Sequence, residues 1–101
     1  MSLTDLAATI AARADADPDT SWTARLLANP DKAAEKFGEE AVEAIIEAVK
    51  GDRAALTAEA ADALYHLLVM CAARDVSLAD IEAELAKRQS QSGISEKASR
   101  P

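Results

Sequence analysis

Four acids occur as two pairs with one spacing: Glu40 with Glu43, and Glu59 with Asp62. On a helix, at about 100° per residue, three residues return to within about 60° of the starting direction, one turn further on. Each pair therefore projects from a single face. Like charges so placed repel and cost a helix a few tenths of a kcal/mol. Two such pairs on consecutive helices ask for a compensating partner. If the helices pack antiparallel, the four carboxylates converge, and hard oxygen donors in that arrangement suit Mg²⁺, with water or substrate phosphate completing its octahedron. On a helical wheel Lys36, Glu39, Glu40, Glu43 and Glu47 share one arc, bordered by Ile46 and Ala44. A Glu-rich stripe on an Ala-rich helix is also what a solvated face looks like, and spacing alone leaves both readings open.

The elements that would position these acids are legible from periodicity and caps. Leu3, Leu6 and Ile10 predict a first helix over about 3–14. Asp15 to Ser21, with Pro18, is a loop, and Ser21 caps a short helix carrying Trp22, Leu26 and Leu27. Asn29-Pro30 starts a long helix, since Pro at the first position forfeits no hydrogen bond; Gly51 ends it after Lys50. Gly38 lies inside it at a cost of about 1 kcal/mol, so close packing or ligand approach is expected there. Asp52 caps a second long helix over about 53–74, with Leu56, Ala60, Leu64, Leu67, Leu68 and Cys71 as its apolar stripe. Ser77 and Asp80 form a capping box for a last helix over about 78–88, with Ile81 and Leu85 facing inward. The segment 89–101 reads as a disordered tail. Helices joined by short turns predict one all-α, four-helix-bundle-like domain over residues 1–88.

Composition narrows the function. The formal charge of -7 argues against nonspecific nucleic-acid binding, and makes any phosphorylated substrate depend on metal ions to invert the local charge. Half the residues are apolar but only Trp22, Phe37 and Tyr65 are aromatic, so the core is aliphatic and modest, which favours self-association. Cys71 is the one cysteine, so no intrachain disulfide forms. Met1 to Ala16 lacks the basic start and apolar run of a signal peptide, and no stretch is expected to cross a membrane; a cytoplasmic protein is the simplest expectation.

The order Glu39-Glu40-x-x-Glu43 followed by Glu59-x-x-Asp62 resembles the all-α nucleoside-triphosphate pyrophosphatase superfamily, which includes MazG-like and dimeric dUTPase-like enzymes. Within it the chain is most similar to the phosphoribosyl-ATP pyrophosphatase family. Ser21-Trp-Thr-Ala-Arg-Leu-Leu27 resembles its Ser-Tyr-Thr-x-x-Leu motif, and Lys36-Phe-Gly-Glu-Glu-Ala-Val-Glu43 its Lys-x-Gly-Glu-Glu-x-x-Glu segment. Glu59-Ala-Ala-Asp-Ala-Leu-Tyr-His-Leu-Leu68 resembles its Tyr-His block, and Glu84 to Arg88 fits its ending. Trp22 and Ala63 stand where Tyr and Leu are usual. The resemblance runs from about Leu3 to Arg88.

What the resemblance implies is a homodimeric, Mg²⁺-dependent hydrolase of the second step of histidine biosynthesis, cleaving phosphoribosyl-ATP between the α- and β-phosphates. Glu40, Glu43, Glu59 and Asp62 would hold Mg²⁺, and Glu39 would orient the attacking water. Lys36, one turn before Glu40, would contact phosphate or pair with Glu40; Arg25, Arg13 and Arg88 would meet the substrate's other phosphate or remain at the surface. His66, one turn after Asp62, would orient that carboxylate or serve the core. Tyr65 is expected to pack with a satisfied hydroxyl, Trp22 to anchor its short helix, and Cys71 to lie in the core. Two alternatives stand beside this reading: another nucleotide pyrophosphatase of the superfamily, and a small acidic helical adaptor with a merely solvated stripe.

Overall fold

The computed structural model describes residues 1–89, which form five helices: α1 (Leu3–Ala12), α2 (Trp22–Leu27), α3 (Pro30–Lys50), α4 (Arg53–Ala72) and α5 (Leu78–Arg88). No strand occurs among the described residues. The all-α expectation holds; α2 to α5 start where their caps predict, and α1 starts at the expected Leu3. Residues 90–101, most of the expected tail, lie outside the described residues.

The caps explain the boundaries. Asn29 accepts from the Lys32 N–H at 3.2 Å, Ser21 from that of Ala24 at 3.1 Å, and Asp52 from that of Ala55 at 3.0 Å. Ser77 and Asp80 close the expected capping box, and the Ser77 N–H holds the Asp80 carboxyl below its ordinary value. Ser2 and Asp5 form a second capping box at the start of α1. Gly51 ends α3 in the left-handed region, at φ 78°, where a side chain would be strained.

The two-residue turn Gly51-Asp52 folds α4 back along α3, and this antiparallel hairpin is the main packing unit. The short α2 lies against both of its helices, while α1 packs on α4 and α5. Ile10, Leu26, Ala33, Leu68 and Val69 form the buried core, with Leu6, Leu27, Tyr65, Leu78 and Ile81 packed around it. Leu26 and Val69 are fully buried, each worth about 1.5–3 kcal/mol.

Three expectations need correction. Leu64 and Leu85 are exposed rather than inward-facing; the buried residues of α4 are His66, Leu68 and Val69. Trp22 is also exposed, and Ala24 and Leu26 seat α2 in its place. By length and composition alone α4 is apolar enough to cross a membrane, contrary to the sequence expectation. Its Ala and Leu content produces that result, yet it carries Glu59, Asp62 and His66 and packs against three other helices, the pattern of a core helix.

Candidate metal centre

The hairpin register brings Glu40 and Glu43 of α3 against Glu59 of α4. One carboxylate oxygen from each lies within 4.8 Å of the other two. Glu40 and Glu59 are half-buried and Glu43 is exposed, so the cluster opens to solvent on one side. One Glu59 oxygen, Oε2, is buried without a hydrogen-bond partner. The Glu43 carboxyl held against it, then burial, then the charges of Glu43, Glu40 and Asp62, push Glu59 up to about 7. Three crowded acids with a buried, unanswered oxygen need either a proton or a cation between them.

The fourth expected ligand stands differently. Asp62 is exposed and adds charge to Glu59, but no oxygen to the converging trio. Three residues along α4 leave it about 60° away from Glu59, enough to turn it to the rim. Its main-chain carbonyl is engaged instead: His66 Nδ1 lies 2.8 Å from it. His66 therefore holds the backbone of Asp62 rather than its carboxylate, and it is buried beside Tyr65, ring edge to face at 4.8 Å between centroids.

Lys36 pairs with Glu39 at 3.1 Å, not with Glu40 as the i, i+4 alternative had it. That hydrogen bond and charge raise Lys36 above its ordinary value, with smaller contributions from Glu40 and Glu43. Glu39 is thus tied to the cation one turn before it and adds no oxygen to the trio. The arginines are placed otherwise. Arg25 Nε donates to the Pro18 carbonyl at 3.1 Å, and its guanidinium sits 5.9 Å from the Trp22 ring centre. Arg88 pairs with Glu84 at 3.0 Å, and Arg13 is the C-cap of α1, exposed. None of these three arrangements reaches the trio.

A link between Thr23 and Tyr65 went unread in the sequence beyond the expectation that Tyr65 would be satisfied. Their hydroxyls meet at 2.5 Å and fasten α2 to α4 beside His66. A cavity of about 340 Å³ lies elsewhere, lined by Ile10, Ala14, Leu27, Leu68, Val76 and Leu78, and contains none of the converging acids.

The arrangement is suited to holding a hard divalent cation and, through it, phosphate. Comparisons with known proteins agree. The family model described as phosphoribosyl-ATP pyrophosphohydrolase matches residues 3–89. A protein of a Jannaschia species is 76% identical over 97% of both chains, and one of Dinoroseobacter shibae is likewise 76% identical over 97% of both. One from Ruegeria pomeroyi is 74% identical over 98% of this chain and 95% of its own. All three carry the name phosphoribosyl-ATP pyrophosphatase.

Proposed function

This chain belongs to the phosphoribosyl-ATP pyrophosphohydrolase family, and from that membership we propose that it hydrolyses phosphoribosyl-ATP to phosphoribosyl-AMP and pyrophosphate, the second step of histidine biosynthesis, in the cytoplasm. The observation that carries this reading is the convergence of Glu40, Glu43 and Glu59, in a chain about three-quarters identical to proteins of that name.

The residues fit Mg²⁺. Oxygen donors only, a half-buried setting and the orphaned Glu59 oxygen match a hard cation that keeps several waters. Glu40, Glu43 and Glu59 would hold it directly, and Asp62 would join from the rim by a change of rotamer. When bound, Mg²⁺ supplies charge neutralisation for the triphosphate and the leaving pyrophosphate. The protein's own contribution is positioning, as expected where little covalent chemistry is needed. Glu39 takes up the attacking water by hydrogen bond, and Lys36 beside it meets a phosphate oxygen. Arg25, Arg13 and Arg88 are the cations available to the second phosphate-bearing arm of the substrate, each requiring a side-chain movement to reach it. One domain, residues 1–88, carries all of these groups.

The working unit in this reading is a homodimer. Val42, Ile45, Ile46 and Val49 of α3 are 55%, 61%, 48% and 83% exposed on the outward side of the hairpin. A contiguous apolar face of this kind favours burial against a second copy. Sedimentation of Ile45→Glu beside the unaltered chain tests it, with a shift to monomer expected.

Pyrophosphate release from phosphoribosyl-ATP, with and without Mg²⁺ and beside ATP, dUTP and dCTP, tests the activity. Metal-dependent turnover confined to phosphoribosyl-ATP is expected. Turnover of the ordinary nucleotides instead moves the chain to another activity of the superfamily, and no turnover of any of them refutes catalysis.

A further inference from the structure

Among the described residues two buried side-chain polar atoms have no partner, Glu59 Oε2 and His66 Nε2. Both belong to α4, seven residues apart. Seven residues are within about 20° of two full turns, so both look in one direction, separated by about 10 Å along the helix. The trio accounts for the first. The second has no place in the metal site and no partner in the core, although His66 is only 8% exposed. Leaving such an atom unsatisfied costs about 1–3 kcal/mol.

The tautomer follows from geometry. A carbonyl oxygen can only accept, so Nδ1, 2.8 Å from the Asp62 oxygen, carries the proton. In the neutral ring Nε2 is then a bare acceptor, and what answers it must be a donor. The antiparallel register that sets Glu43 against Glu59 places Lys36 level with His66, each seven residues further from the Gly51-Asp52 turn. Beyond them α2 is fastened at Tyr65 by Thr23 and presents Trp22 and Arg25. A substrate with its phosphates at the trio and its length along this hairpin ends beside His66, about one ribose and base away, and meets the buried Nε2 once a neighbouring side chain moves aside.

We propose that His66 is a substrate-binding residue whose Nε2 accepts a hydrogen bond from an N–H or O–H donor on the nucleoside half of the substrate. The assignment rests on the substrate reading given above. It makes His66 a discriminating contact remote from the scissile bond, so its loss weakens binding more than it slows the chemical step.

The test compares the unaltered protein with His66→Asn and His66→Gln. Asn keeps a donor near the Nδ1 position and loses the Nε2 end; Gln reaches the Nε2 position. Steady-state kinetics with phosphoribosyl-ATP and Mg²⁺ are measured beside Mg²⁺ affinity of the free protein and melting temperature. Expected for His66→Asn is a KM raised about tenfold, the value of one lost hydrogen bond, with kcat within a few-fold and metal affinity unchanged. His66→Gln should recover most of the KM. Repeating the comparison on a 2′-deoxy substrate assigns the donor: a KM difference that vanishes names the hydroxyl, and one that persists names the base. If a buried water satisfies Nε2, both variants melt lower with KM unchanged, and the proposal is overturned. A fall in kcat together with metal affinity also overturns it, since His66 would then act through Asp62. Turnover by the unaltered protein isolates such a failure to His66; no turnover of phosphoribosyl-ATP by it removes the substrate reading and this assignment together.

Discussion

Glu43 and Glu59, sixteen positions apart in sequence and on different helices, hold carboxylate oxygens within 4.8 Å of each other and of Glu40. That contact makes folding oppose ionisation. Glu59 keeps its proton up to about 7 in the folded chain, against an ordinary value of 4.5. Below 4.5 the group is protonated in both states. Between 4.5 and about 7 the folded chain binds more protons than the unfolded one, so stability falls as pH rises through that window and levels off above it. Melting followed from pH 4 to 8.5 in EDTA should show this decline, and Glu59→Gln should flatten it. Mg²⁺ added at pH 8 should restore the lost stability in the unaltered chain only, since the ion replaces the proton as the trio's counter-charge.

The same crowding separates stability from activity. Glu40→Gln, Glu43→Gln and Glu59→Gln each remove one repelling charge and should leave the metal-free chain at pH 8 as stable as before or more so. Each should also lower kcat/KM by about 10²–10³-fold, the scale of losing one electrostatic stabiliser in a preorganised site. Melting temperature and pyrophosphate release on the same preparations check both halves. An adaptor with a solvated stripe would show the first effect with no activity to lose.

Asp75 adopts φ 60°, a left-handed conformation that costs a residue with a Cβ about 1–2 kcal/mol and glycine little. It follows the end of α4, where its carboxylate also meets the negative end of the helix dipole. Asp75→Gly should therefore stabilise the chain by about 1 kcal/mol, read as a higher denaturation midpoint with unchanged slope.

The caps and both long helices were legible because their signals are local: Asn29-Pro30, Gly51-Asp52 and Ser77 to Asp80 each satisfy orphan backbone groups within four residues. Glu40, Glu43 and Glu59 were legible because a two-residue turn leaves an antiparallel hairpin little freedom of register. Asp62 stands apart from the trio for a rotational reason, as i, i+3 spacing shares a face only loosely, and one turn along α4 carries it to the rim. Leu64 and Trp22 were misread because apolar type does not say which side of a helix finds a neighbour. The His66 bond to the Asp62 carbonyl and the α2 attachment depend on three-dimensional placement that no spacing encodes.

Thr23 and Tyr65 share one hydrogen bond across 42 residues of sequence, and it is a polar link between α2 and α4. Truncating either partner leaves the other hydroxyl part-buried and unanswered, so Thr23→Val and Tyr65→Phe should each cost about 1 kcal/mol. Once one is gone the second removal costs little, because no bond remains to break. The double variant should therefore lose about as much as a single one, a coupling of about 1 kcal/mol in a double-mutant cycle from urea unfolding. Since the pair fastens the helix that carries Trp22 and Arg25, the single variants should also raise KM for phosphoribosyl-ATP more than they lower kcat. Additive losses with KM unchanged would show that α2 is held by Ala24 and Leu26 alone.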